Sequence, residues 1–254
     1  MCYTETETEV IRVEKPIVVI GAMEVEVTTL AQRMDIVEEQ RIHRNNLQIL
    51  TGKLGGREVV LARCGVGKVN AALITQYLID HFQPQAVINS GVAGGLSPKV
   101  LIGDIVIGET SLQHDVDVCH FDYPRGVIPS MEESTFPGDE ELTALAVRAA
   151  VEELGDGRVH KGLIVSGDQF ISSLEHKQQI LGFFPDALCA EMEGAAIAQT
   201  AHLNGIPHLI VRAISDQADN TAPVDFNAYL MEVIPVLNAV IEKLIRSVPR
   251  PAKR

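Results

Sequence analysis

Five acidic residues stand where apolar runs of this chain come to an end. "VVIGAMEVEV" (18–27) closes with Glu24 and Glu26, and no Lys or Arg follows until Arg33. "CAEMEGAAIA" (189–198) carries Glu191 and Glu193, and "VRAISDQAD" (211–219) carries Asp216. Taken singly, each has an ordinary explanation: a helix-start glutamate, or an N-cap or turn aspartate. Taken together, three apolar strands end in carboxylates. Ligands of open α/β sheets bind at the carboxyl ends of the strands. Several acids and few bases gathered there imply acid–base work on a neutral or cationic ligand. A phosphate site would call for Arg or Lys. Glu193 falls at a strand-to-helix junction, where the helix dipole and free N–H groups favour an ionised carboxylate.

Other motifs carry less. "GVGKVNAAL" (65–73) has the look of a phosphate loop, but that loop needs Gly at Ala62 and Ser or Thr at Val69. "NSGVAGG" (89–95) is a glycine-rich strand end that fits either a tight turn or close approach of backbone to a ligand. "HDVDV" offers His114, Asp115 and Asp117, but Val116 and Val118 share the face of His114 and no second histidine cluster supports a metal.

The elements that must position these residues read as strands alternating with helices. "PIVVIGAM", "EVVLARCGVG", "AVINSGVAGG", "DIVIGET", "GLIVSGD", "ALCAEME" and "HLIVRAISD" are continuous apolar runs, as expected of strands covered on both faces. Helical periodicity marks "VNAALITQYLIDHF", "EELTALAVRAAVEEL", "GAAIAQTAHLNG" and a long final helix with Pro235 inside it, a place for a kink. The pattern predicts an α/β fold with a largely parallel sheet. The chain has 254 residues, no repeat and no linker, and reads as one domain. The stretch 113–138 is long, with turn residues and aromatics, and is expected to be ordered against something.

Composition narrows the partners. The formal net charge is −13, which argues against nucleic acid. The one basic cluster is the tail "RSVPRPAKR". The four cysteines are scattered with no CxxC pair, as in a reducing compartment such as the cytoplasm. "MCYTETETEV" lacks the apolar core of a secretory signal, and no run of 18 apolar residues occurs, so no membrane partner is expected.

Eight motifs in order, "IGAMEVEV", "GVGKVNAA", "NSGVAGG", "GDIVIGE", "HDVDVCHFDYPRG", "GLIVSGDQFI", "AEMEGAAIA" and "VRAISDQAD", resemble the 5′-methylthioadenosine/S-adenosylhomocysteine nucleosidases of the purine nucleoside phosphorylase superfamily. The resemblance spans roughly 16–244, leaving an N-terminal extension (1–15) and the basic tail (248–254) outside. It implies a single α/β domain, a mixed twisted sheet surrounded by helices, a homodimer, and no metal or organic cofactor. It implies cleavage of the bond between adenine and a 5′-thio-substituted ribose. In that scheme Glu26 activates the attacking water. Glu193 binds the ribose hydroxyls in ionised form and stabilises the cationic sugar, and Asp216 protonates the departing adenine. Ser215 and Arg212 support Asp216 and the water. Phe170 stacks on adenine, the Ile171 backbone bonds it, and Met192, Ala93 and Gly94 approach the ligand. Val66, Val118 and Phe226 surround the 5′-thio group, while Phe121, Tyr123 and Pro129 close that pocket in the neighbouring subunit. Val92 departs from members with Ser or Thr there, and Arg125 is placed near the 5′ pocket, where it could favour a carboxylate-ended substituent. Three rivals share the scaffold. A phosphorylase would need phosphate-binding arginines where Val25 and about Asn89 stand. An aminodeoxyfutalosine hydrolase would use the same acids. A non-catalytic sensor would be expected to have lost Glu26 or Asp216.

Overall fold

The structure is a computed structural model and describes residues 14–42 and 47–250. The extension up to residue 13, including Cys2, and the last four residues of the basic tail lie outside the described residues. Ten strands form one mixed sheet. In chain order they are β1 (Ile17–Gly21), β2 (Asp35–Ile42), β3 (Leu47–Leu54), β4 (Arg57–Arg63), β5 (Ala86–Gly95), β6 (Ile105–Gln113), β7 (Thr135–Pro137), β8 (Val159–Ser166), β9 (Ala187–Glu191) and β10 (His208–Asp216). The helices are α1 (Glu24–Ala31), α2 (Lys68–Phe82), α3 (Glu140–Leu154), α4 (Leu174–Phe183), α5 (Gly194–Leu203) and α6 (Ala222–Ser247).

Strand β5 is the hinge of the topology. It pairs in parallel with β1 and β10, and antiparallel with β9 through Gly94 and Gly95. β10 continues to β6, β6 to β8, and β8 back to β9, so five strands close a ring through β5. The remaining arm runs β1, β4, β3, β2, with β1–β4 parallel and the rest an antiparallel meander. The sheet is therefore mixed, as the resemblance implies, and less parallel than the strand–helix alternation alone predicts. β2 and β3 lack the continuous apolar signature because β2 is an outer strand carrying Asp35, Glu38, Glu39 and Arg41.

The apolar runs are explained by double coverage. In β1, Ile17 and Val19 pack with α1, α3 and α6, while Val18 and Ile20 pack with α2 and α5. All four are at most 1% exposed. α6 passes through Pro235 as one continuous helix of 26 residues. The stretch 113–138 holds a 3₁₀ turn (Cys119–Phe121) and β7, whose buried Phe136 anchors it to the core.

Candidate active site

Glu26 does not end a strand. β1 stops at Gly21, and Glu24 and Glu26 fall in the first turn of α1. That helix is rich in β-branched residues and weak by propensity. It forms because Val27 and Leu30 are buried three residues apart and because Glu26 reaches back to cap it. Glu26 Oε2 accepts from the backbone N–H of Ala22 (2.8 Å) and Met23 (2.9 Å), and Oε1 accepts from Val92 N–H (3.2 Å) on β5. Burial drives its pKa above the ordinary value, against these bonds and the charge of Arg212. Glu24 turns outward and pairs with Arg63 at 3.2 Å.

Glu191 and Glu193 divide their roles differently from the sequence expectation. Glu191, the last residue of β9, is the group at the start of α5 that holds the charge. Its Oε2 accepts from the N–H of Glu193 (3.1 Å) and Gly194 (2.7 Å). It also pairs with buried Arg212 and accepts from the Ser166 hydroxyl. Burial raises its pKa, but Arg212 and these bonds carry it below the ordinary value. Glu193 is the N-cap residue of α5, yet its side chain makes no cap bond there. Its Oε1 accepts from Gly67 N–H (2.8 Å). Burial first, then the negative charge of Glu191, push its pKa up to about 8. The helix-start position therefore does not hold the Glu193 pKa down, because Glu191 takes Arg212 and the helix N–H groups.

Arg212 also departs from expectation. Its side-chain partners are Glu191 and Asn89, and Asn89 in turn donates to Ile20 O (2.9 Å). Asp216 is instead supported by Ser215, whose hydroxyl donates to Oδ2 (2.9 Å), and by Ala218 N–H on Oδ1 (2.9 Å). Asp216 is 1% exposed, and burial raises its pKa. The β10–β5 register slips between Ile214 and Asp216, so Ser215 forms a bulge that re-aims the aspartate.

The glycines of "NSGVAGG" are approached by the protein's own acids. A Cβ at Gly91 would stand 2.7 Å from Glu26 Oε1, and one at Gly94 would stand 2.7 Å from Asp216 Oδ1. The α2 start in "GVGKVNAAL" is likewise filled by carboxylates: Gly67 N–H bonds Glu193, and Lys68 N–H bonds Asp168 Oδ1 (2.8 Å).

These groups line one cavity of about 200 Å³. Glu26, Glu191, Glu193 and Asp216 meet there with Ala93, Gly94, Met192 and Ser215. Phe170, Val66 and Phe226 line it too, with the Phe170 and Phe226 rings edge to face at 5.8 Å. No Lys or Arg is part of the lining. Arg212 is buried behind it against Glu191. Ile171 and Arg125 line a neighbouring cavity, where Arg125 is paired with Asp117 and lies over the Phe183 ring. Arg125 is thus not brought to the acid cavity. Nor are Val118, Phe121, Tyr123 and Pro129 of the same chain. Phe121 is 71% exposed. Asp115 pairs with Lys68 at 2.6 Å, and no group of three or more potential metal ligands occurs among the described residues.

Glu191, Asn89 and Ser166 escaped assignment by sequence. Their signal is a polar residue inside, or closing, an apolar strand whose two faces are both covered.

Known proteins share this sequence and this fold. The family model described as the phosphorylase superfamily matches residues 16–248. A protein of Desulfotalea psychrophila named 5′-methylthioadenosine/S-adenosylhomocysteine nucleosidase is 42% identical over 84% of this chain and 89% of its own length. The crystal structure of the Neisseria meningitidis enzyme of that name, in complex with methylthio-immucillin-A, superposes with a TM-score of 0.86. It is 39% identical and covers 92% of this chain and 100% of its own. A futalosine hydrolase of Helicobacter pylori superposes with a TM-score of 0.84 at 32% identity, covering 92% of this chain and 98% of its own. By fold and sequence, the chain belongs to the phosphorylase superfamily and, within it, to the 5′-methylthioadenosine/S-adenosylhomocysteine nucleosidases.

Proposed function

We propose that the cavity hydrolyses the N-glycosidic bond of 5′-methylthioadenosine and S-adenosylhomocysteine, releasing adenine and the thioribose. The observation that carries this reading is four buried carboxyls, Glu26, Glu191, Glu193 and Asp216, around one cavity with no Lys or Arg among its described lining residues. Cleavage of such a bond builds positive charge on the sugar and negative charge on the leaving base. Carboxylates suit the first, and a protonated acid relieves the second.

Glu26 holds the water and takes its proton, since its raised pKa makes it a stronger base than an exposed glutamate. Asp216 carries a proton into the site and gives it to adenine N7; burial is what keeps that proton available. Glu193 binds the ribose hydroxyls. In its ionised form its carboxylate stabilises the cationic character that grows on the sugar beside it. Phe170 stacks on adenine and the Ile171 backbone bonds its edge. Val66 and Phe226 bound the thio substituent. Arg212 supports the acids through Glu191.

We further infer a homodimer in which Phe121, Tyr123 and Pro129 of one copy cover the thio side of the other copy's cavity, with Val118 beside it. The exposure of Phe121 supports this. The proposed setting is the cytoplasm, and the proposed role is methionine salvage. Cys64, Cys119 and Cys189 are unpaired, and no helix among the described residues is long and apolar enough to cross a membrane.

A second reading, hydrolysis of aminodeoxyfutalosine, is favoured by the likeness to a futalosine hydrolase. It is disfavoured by the engagement of Arg125 with Asp117. The deciding experiment is adenine release from methylthioadenosine with and without phosphate, with identification of the sugar. The expected result is phosphate-independent release of free methylthioribose. Release of a sugar 1-phosphate overturns the proposal, and release only from aminodeoxyfutalosine selects the second reading.

A further inference from the structure

Lys177 lies on α4, outside the lining of the cavity. Its ammonium donates to two backbone carbonyls, Gly95 O at 2.8 Å and Gln217 O at 2.7 Å. Gly95 is the last residue of β5, and Gln217 is the first residue after β10. One residue before each lie Gly94 and Asp216, which face each other across the parallel ladder. The Asp216 carboxyl rests directly on Gly94, where no side chain fits. Because Ser215 bulges out of register, the ladder between the strands is interrupted where Asp216 has to be aimed. The Lys177 bridge joins the two strands just beyond the Asp216–Gly94 pair at which the ladder resumes. Burial lowers the pKa of the ammonium, while Asp219 and Asp216 are close enough to oppose this.

We propose that Lys177 is a positioning residue for the proton donor: it ties the ends of β5 and β10 together so that Asp216 keeps its aim at the leaving base. This rests on the reading of Asp216 as general acid. A side chain that only stabilised the fold would alter melting without altering the chemistry of one carboxyl.

The test is a pair of kinetic cycles. Lys177→Met and Lys177→Arg are each compared in the native background and in Asp216→Asn, with adenine release followed from pH 5 to 10. A misplaced catalytic group costs on the order of 10- to 100-fold, so Lys177→Met should lower kcat by that factor. KM should stay within about threefold, since the loss falls on the chemical step. The alkaline limb of the profile should move upward, because a nearby cation is gone. Lys177→Arg, which keeps charge and donors, should recover most of the rate. In Asp216→Asn, already slow, adding Lys177→Met should cost less than about twofold, because the two act as a unit.

An equal fold-loss in both backgrounds, or an unchanged kcat with an unmoved profile, overturns the positioning role. Asp216→Asn with native turnover removes the donor itself, a separate failure read from that single variant. If Lys177→Met melts below the assay temperature, Lys177→Gln enters the same cycle with the same criteria.

Discussion

Glu26 serves two purposes with one carboxylate. Three backbone N–H groups fix it, and one of them belongs to Met23, the N-cap of the helix in which Glu26 sits. Glu26→Gln should therefore reduce adenine release by about 10²- to 10⁴-fold, the usual worth of a general base. Glu24→Gln, at an exposed position paired with Arg63, should leave turnover near native; the opposite pattern would exchange the two roles. Glu193 offers a prediction about pH. Its ordinary value of 4.5 applies to the unfolded chain, and the folded value is about 8. The folded state then binds more protons, so the stability this group contributes is complete below pH 4.5 and is lost as pH rises toward 8. Glu193→Gln removes the ionisation altogether. It should raise the melting temperature at pH 8 and not at pH 4.5, by at least the roughly 3 °C that about 1 kcal/mol produces in a chain of this size. Thermal melts of both proteins at the two pH values decide it; an equal shift at both removes Glu193 as the cause.

At the scale of elements, the buried Arg212–Glu191 pair joins β10 to the start of α5, with Asn89 of β5 and Ser166 of β8 completing the network. Breaking a buried pair on one side leaves an uncompensated charge and costs about 3–5 kcal/mol. Arg212→Met should show that loss in the denaturant midpoint, and adding Glu191→Gln should restore more than half of it. A double variant no better than the single one would mean that the charge is not what matters. This network was beyond reach of the sequence, because Arg212 and Asn89 are 123 positions apart. What was legible had local causes. α3 follows from its alternating Ala and Leu and from Asp139, whose carboxylate caps it at Leu142 N–H. The carboxylates at strand ends were legible because polar residues stop apolar runs. α1 was not, since its helix depends on burial and on a cap supplied by Glu26. β2 and β3 were not, since their partners are strands and their outer positions are charged.

At the scale of the whole molecule, β5, paired with β1, β9 and β10, gathers acids from three distant segments. The proposed second copy would complete the thio side. Light scattering should give about twice 27.6 kDa. Phe121→Ala should raise KM for methylthioadenosine by about tenfold, the worth of roughly 1.4 kcal/mol of apolar contact, with kcat little changed. A monomeric mass, or an unaltered KM, removes the partner's loop from the site. The buried carboxyls also differ in what they do for the fold. Glu26 and Glu191 each satisfy two or more backbone N–H groups, whereas Glu193 accepts from one and shares its burial site with a neighbour of its own sign. Any screen that rewards heat resistance alone will meet Glu193 early, and will keep replacements that harden the protein and silence it. A thermostabilising campaign on this protein needs turnover as its second gate, because the position easiest to improve is one the proposed reaction uses.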